Sequence, residues 1–337
     1  MIRSLLATAA FVLLAACGGK AGPTIYVALD EQFSRPLLDR FAKELQLDLV
    51  QRHDTEASKT VGLVNALIEE QKHARASVFW CNESAQVAKL AQLGVLVPYQ
   101  SPAAADVPAE WRDKDHRWTG FAARARILIV NTELLPDPKT WPTSYRDLVD
   151  PKWKGKCAIA KPVRGTTLTH MTALRQKLGE QEFGAFVEAM FQNDVRFLGS
   201  NGATMREVRD GKLPWAFTDT DDYHVAMRKG HKVACVFPDQ QEGGLGTMLI
   251  PNAVGLVAGG PDPEGAKKLI DAILSRETEA LLAAAESAQI PLRSGVPGPQ
   301  DPAIKGLGAF RMMAWDVNQV AADLTRCDSD FNKRWGQ

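Results

Sequence analysis

An α/β fold around open, mostly parallel sheet is what this sequence predicts, and three observations predict it. Between residues 24 and 93, short apolar runs rich in β-branched residues alternate with stretches whose apolar positions recur at helical spacing, in the order β-α-β-α-β-α. A similar alternation resumes at residue 124 and continues to about residue 257. The chain has 337 residues, 45% hydrophobic and 24% charged, which suits two domains with ordinary cores.

In chain order, residues 24–29 read as the first strand through Ile25, Tyr26 and Val27. Ser34 can cap a helix with Pro36 in its first turn and Leu37, Leu38, Phe41 and Leu45 on one face. Residues 47–50 are a second strand, and Val61, Val64, Leu67 and Ile68 mark a second helix. A third strand at 77–80 runs into Cys81, Asn82 and Glu83; the helix after it ends near Leu93, where Gly94 stops it. Residues 124–130 and 157–160 are strands, 166–178 and 180–191 helices. A strand at 195–198 leads into a helix opened by Ser200, Asn201 and Gly202, and a strand at 215–218 into one opened by Asp219, Thr220, Asp221 and Asp222. Strands at 233–237 and 252–257 flank a Gly-rich turn at 243–246, and a helix-rich tail begins near Asp262.

Lysines plus arginines equal aspartates plus glutamates, 40 against 40, so no basic excess points to nucleic acid. Residues 1–16 carry one cation, Arg3, and an uncharged run at 5–14, the layout of a signal peptide and too short to span a bilayer. The run Leu14-Ala15-Ala16-Cys17 resembles the bacterial lipobox, which implies cleavage before Cys17 and lipid on that residue. Residues 18–23 then form a tether, and membrane contact is by the lipid anchor only. Cys81, Cys157, Cys235 and Cys327 remain. An oxidising compartment permits disulfides, with Cys157–Cys235 one pairing, and buried free thiols are the other reading.

The segments "LVDPKWKGKCAIAKPVRGTTLTHMTAL" from Leu148, "ASVFWCNE" from Ala76, "WTGFAARARILIVN" from Trp118, "FTDTDD" from Phe217, "GTMLIPNAVGLVAGG" from Gly246, "AKKLIDAIL" from Ala266 and "AQIPLR" from Ala288 occur in one order. Together they resemble the periplasmic solute-binding proteins of the ferric-ion-binding type that serve bacterial ABC importers. The likeness covers nearly all of the chain after the leader. It implies a type II periplasmic-binding fold, two α/β lobes joined by crossing hinge strands. Lobe 1 would hold residues 24–124 and 246–292, lobe 2 residues 125–245, with a helical tail, 293–337, packed mainly on lobe 2. The partners implied are an ABC permease in the inner membrane and a small-molecule or metal ligand, for a monomer in the periplasm or cell envelope.

Ligands on such sheets sit beyond the carboxyl ends of strands, which singles out Asp30, Glu31, Asn82 and Glu83. Arg124 and Arg126, at strand spacing, share a face and suit an anion held bidentately, or an interlobe ion pair. Gly165, Thr166 and Thr167 open a helix and offer free N–H groups and hydroxyls to an anion; the turn at Ser200, Asn201 and Gly202 is a weaker counterpart. Asp219, Asp221, Asp222 and Tyr223 stand where the family carries paired tyrosines as iron ligands. The resemblance implies no enzymatic cofactor but a bound metal ion with its synergistic anion, for which Glu83, Asp219 and Asp221 are the metal-facing choices. The aspartates equally suit an amine. An iron or other metal complex is therefore the first ligand expected and a small amine or phospho-organic solute the second. A docking or sensing lipoprotein without transport is the alternative class. No nucleophile elbow, zincin motif, Walker loop or dinucleotide fingerprint occurs, so an enzyme is not expected.

Overall fold

The computed structural model describes residues 22–54 and 61–336. The leader and Cys17, with the lipidation expected there, lie outside the described residues. The strands are β1 (Thr24–Val27), β2 (Val50–His53), β3 (Val78–Cys81), β4 (Leu96–Val97), β5 (Thr119–Asn131), β6 (Cys157–Ala160), β7 (Arg196–Leu198), β8 (Trp215–Asp219), β9 (Val233–Val236) and β10 (Leu249–Val257). The helices are α1 (Glu31–Glu44), α2 (Val61–Glu69), α3 (Ser84–Gln92), α4 (Gly165–Gln192), α5 (Asn201–Arg209), α6 (Thr220–Arg228), α7 (Pro263–Ile273), α8 (Arg276–Ala284) and α9 (Val317–Trp335). Among the described residues no helix is long and apolar enough to cross a membrane.

The sheet order is β2-β1-β3-β10-β5-β8-β6-β7, with β4 added to β10 and β9 to β5. Its two flanks are parallel: β1 with β2 and β3, and β6 with β7 and β8. Its middle is antiparallel, because β10 and β5 run against their neighbours. The reason is β5, whose thirteen buried residues serve both halves. Residues Thr119 to Ala125 pair with β10, and Arg126 to Val130 pair with β8. Within β5 the register slips beside Pro251 and Asn252, and Ala122 takes φ 33° there. The buried Glu279 carboxylate holds this bulge by accepting from the Ala122 N–H at 2.9 Å and the Leu292 N–H at 3.0 Å.

Two local readings shift. α1 begins at Glu31 with Asp30 at its N-cap, so Ser34 and Pro36 lie inside it. Ser34 is buried, and its hydroxyl bonds back to the Asp30 carbonyl at 3.2 Å instead of capping. β2 starts at Val50, in register with Thr24; Leu47 and Leu49 pack against the core beside it. The two helices expected at 166–178 and 180–191 are the two parts of α4, broken at Gly179 (φ 75°, ψ 165°).

The tail, expected to pack mainly on the middle unit, lays α9 across both halves. Val317 and Ala321 join Val87, Ala88, Leu90 and Ala91 of α3, while Val320, Leu324, Phe331 and Trp335 join the cluster around Leu174 and Phe183 of α4. Cys81, Cys157, Cys235 and Cys327 are all free thiols, so the Cys157–Cys235 pairing is absent. Burial pushes the Cys157 thiol up to about 12.

Candidate functional site

Five helices point their N-termini at one cavity of about 70 Å³ between the half-sheets. The N-cap residues of α1, α3, α4, α5 and α6 are Asp30, Glu83, Arg164, Ser200 and Asp219, and every one lines it. Each helix follows a strand that ends at this level, so the strand-end rule puts β1, β3, β6, β7 and β8 around a common mouth. Unsatisfied N–H groups and aligned peptide dipoles make such a mouth electropositive, each terminus worth about 0.3–1 kcal/mol to a nearby negative charge.

Side chains supply both signs. Asp30, Glu83, Asp219, Asp221 and Asp222 line the cavity, and so do Arg124, Lys161 and Arg164. Asn82, Thr166, Thr167, Asn201 and Gly202 complete the polar wall. The Asn82 Oδ1 atom is buried with no hydrogen-bond partner.

Behind the wall is a buried network centred on Asp219. Arg126 Nη1 donates to Asp219 Oδ1 at 2.7 Å, and Thr166 Oγ1 and Asn201 Nδ2 donate to Oδ2 at 2.7 and 2.9 Å. Arg126 also donates to the Thr166 and Thr167 hydroxyls, each at 3.2 Å, and stacks over the Phe217 ring at 4.8 Å. Asp219 therefore makes no side-chain cap on α6. Arg124 Nη1 donates to Asp221 Oδ2 at 3.1 Å and lies 3.7 Å from Asp219 Oδ2, while its Nη2 reaches the Asn82 carbonyl at 3.1 Å.

The two aspartates respond to burial in opposite ways. Burial pushes Asp219 up, but Arg126 and Arg124 outweigh it and hold the carboxyl below the usual range. Burial also raises Asp221, and there Arg124 does not overcome it, because Asp219 and Asp30 add to the rise. Burial lowers His170 well below the usual histidine value, helped by Arg126, so the ring stacked on Phe217 at 5.2 Å is neutral.

Twelve of the residues singled out from sequence meet in this cavity: Asp30, Asn82, Glu83, Arg124, Thr166, Thr167, Ser200, Asn201, Gly202, Asp219, Asp221 and Asp222. Four do not line it. Glu31 is exposed on the first turn of α1 and pairs with Arg35 at 2.6 Å. Arg126 is fully buried one layer behind the wall. Gly165 is in the first turn of α4 without facing the space. Tyr223 turns into the apolar cluster with Phe237, where burial raises its phenol, so among the described residues no tyrosine lines the cavity. Sequence reasoning missed Lys161 and Arg164, although the strand-end rule applied to β6 would have found both.

The carboxylate oxygens of Asp219, Asp221 and Asp222 come within 4.8 Å of one another, close enough to share a cation. All three are already engaged by donors: Asp219 by Arg126, Thr166 and Asn201, Asp221 by Arg124 and the Asp222 N–H, and Asp222 by the Thr218 hydroxyl, so a cation here would compete with these donors at each carboxylate.

Comparison with known proteins finds relatives over most of the chain. The chain is 25% identical over 283 residues to Iron uptake protein A1 of Synechocystis sp., covering 80% of this chain and 76% of that one. It is 26% identical over 274 residues to a putative 2-aminoethylphosphonate-binding periplasmic protein of Salmonella paratyphi A, covering 78% of each. The fold superimposes on iron-bound HitA from Pseudomonas aeruginosa with a TM-score of 0.80 at 22% identity, over 92% of this chain and 98% of that one. That likeness is one of fold, the two-lobe architecture of periplasmic binding proteins. A family described as bacterial extracellular solute-binding protein matches residues 83–317, most of the chain, and the chain belongs to that family.

Proposed function

We propose that this chain captures a small ligand combining an anionic group with a cationic one, and delivers it to an ABC permease. The observation that carries this reading is the convergence of five helix N-termini on a small cavity that also holds five carboxylates. The termini and Arg124 suit an oxyanion. The carboxylates of Glu83, Asp221 and Asp222 suit a cation beside it. A ferric or other metal ion with its anion comes first, in line with the iron proteins among the relatives. Without a tyrosine in the wall, such an ion would be held by carboxylates and by its own anion. An amino-phosphonate is the second reading, favoured by the same absence and by the relative of that description.

In this reading residues 24–124 and 246–292 form one lobe and 125–245 the other, and β5 is one of the two crossings about which they close. The chain acts as a monomer in the periplasm, tethered by lipid at Cys17, and binds rather than catalyses. Replacing Cys17 by Ser should move the protein from the membrane to the soluble envelope fraction; an unchanged distribution would remove the anchor. The ligand is tested by melting the purified protein against ferric citrate, 2-aminoethylphosphonate, polyamines and sugar phosphates. A true ligand at 100 times its dissociation constant adds about 2.7 kcal/mol of stability. No shift with any of them would reject the proposed ligand class.

A further inference from the structure

A threonine behind the cavity wall joins the two sides of the cleft. Thr169, fully buried in the second turn of α4, donates its hydroxyl to Glu83 Oε2 at 2.6 Å. Glu83 belongs to the other half of the molecule, at the end of β3, 86 residues earlier in the chain. It occupies the N-cap of α3, yet its side chain makes no cap hydrogen bond. The hydroxyls of nearby threonines bond within their own half of the molecule. Thr172 donates to the Leu168 carbonyl of its own helix at 2.9 Å, the local back-bond expected of a helical threonine, Thr166 donates to Asp219 Oδ2 at 2.7 Å, and Thr167 donates to Asn201 Oδ1 at 3.1 Å. The Thr169 bond has the length of a hydroxyl donating to a carboxylate, among the stronger protein hydrogen bonds. With Oε2 held, Oε1 lies over the start of α4: a Cβ on Gly165 would be 3.8 Å from it.

The geometry points to Thr169 as a positioning residue that aims the Glu83 carboxylate at the ligand and ties the α4 side of the cleft to the α3 side. The inference rests on reading the cavity as the solute site and the two halves as hinged lobes. Thr169 does not line the cavity and acts through Glu83. Because the bond spans the cleft, closure and ligand capture share it, and an opened cleft would give both groups to water. A bond of this kind therefore biases the closed state without locking it, by about ten-fold or somewhat more in population.

The test uses the purified full chain. Thr169→Val keeps the β-branched shape and removes the hydroxyl, Thr169→Ser keeps the hydroxyl, and Thr169→Ala repeats the deletion without added bulk should the valine variant fail to fold. Two readouts are taken: the dissociation rate of ferric citrate and of 2-aminoethylphosphonate, and the radius of gyration of the ligand-free protein by X-ray scattering. The deletion variants should release the probe about ten-fold faster and scatter as a more open particle, with the serine variant within about two-fold of the parent rate. Parent-like release and scattering in the deletion variants would overturn the inference, as would a serine variant that behaves like the deletions. If the parent protein binds neither probe, the ligand reading fails separately, and the ligand-free scattering decides the latch by itself.

Discussion

Arg126 and Asp219 stand opposite each other in register across β5 and β8, with Nη1 and Oδ1 2.7 Å apart and side chains 0% and 2% exposed. The pair joins the strand that runs through both half-sheets to the start of α6, which carries Asp221 and Asp222 into the cavity. Removing one partner leaves a buried charge uncompensated, at a cost of about 3–5 kcal/mol. Asp219→Ala should lose that much in urea unfolding, and the double variant Arg126→Met/Asp219→Ala should lose less than the single one. Additive losses would mean that the pair is not a unit.

Acid should act on Asp219 and Asp221 with opposite signs. A carboxylate whose folded pKa is lowered, as in Asp219, contributes stability above its unfolded value near 3.8 and loses it as pH falls through the folded value. One whose folded pKa is raised, as in Asp221, costs stability while ionised, and that cost is relieved as pH falls through the folded value toward the unfolded one. Without ligand, Asp221→Asn should raise the melting temperature at pH 7 and reduce the gain on mild acidification. Asp219→Asn should lower it at pH 7 and weaken the acid-limb loss. Melting curves from pH 3 to 8 check both signs.

Thiol accessibility reports on the core. Cys81, Cys157 and Cys327 are buried, and burial pushes the Cys157 thiol up to about 12. At pH 8 these three should react with an aromatic disulfide reagent only as the protein unfolds. In urea all four thiols, Cys235 included, should titrate; a deficit of two would restore the Cys157–Cys235 disulfide.

Gly246 lies where the chain returns toward β10, with φ +87°, and a Cβ there would meet the Met312 carbonyl carbon at 2.7 Å. Gly259 has φ +70° with nothing within 4 Å. Gly259→Ala should cost about 1–2 kcal/mol, the backbone penalty alone. Gly246→Ala should cost clearly more in the same unfolding assay, because the tail segment that pairs Met312 with Thr247 must also shift. Equal losses would show that the close approach relaxes freely.

Much of this was legible in local pattern. β6 falls at 157–160 as read, Gly94 (φ 72°) stops α3, and Gly179 splits α4 where two helices were expected to meet. The strand-end rule reached Asp30, Asn82 and Glu83 because it depends on element order, which periodicity reveals, and the family resemblance pointed to Asp219. Depth was not legible. Arg124 and Arg126 share strand spacing, yet Arg124 lines the cavity while Arg126 lies behind it, since one pairs with β10 and the other with β8. Tyr223 and Glu31 each adjoin a lining acid but face core and solvent, a matter of helix phase fixed by packing. The Thr169–Glu83 bond joins residues 86 positions apart, which no local spacing encodes.

The most direct test is titration calorimetry of the purified protein at pH 7 with ferric citrate and with 2-aminoethylphosphonate, set beside a variant carrying Arg124→Ala and Glu83→Ala. One ligand should bind at a single saturable site and lose at least about 100-fold in affinity in the variant, as expected when paired charges are removed from a buried site. Binding of neither ligand, or binding that the variant leaves unchanged, would contradict the assignment of this cavity.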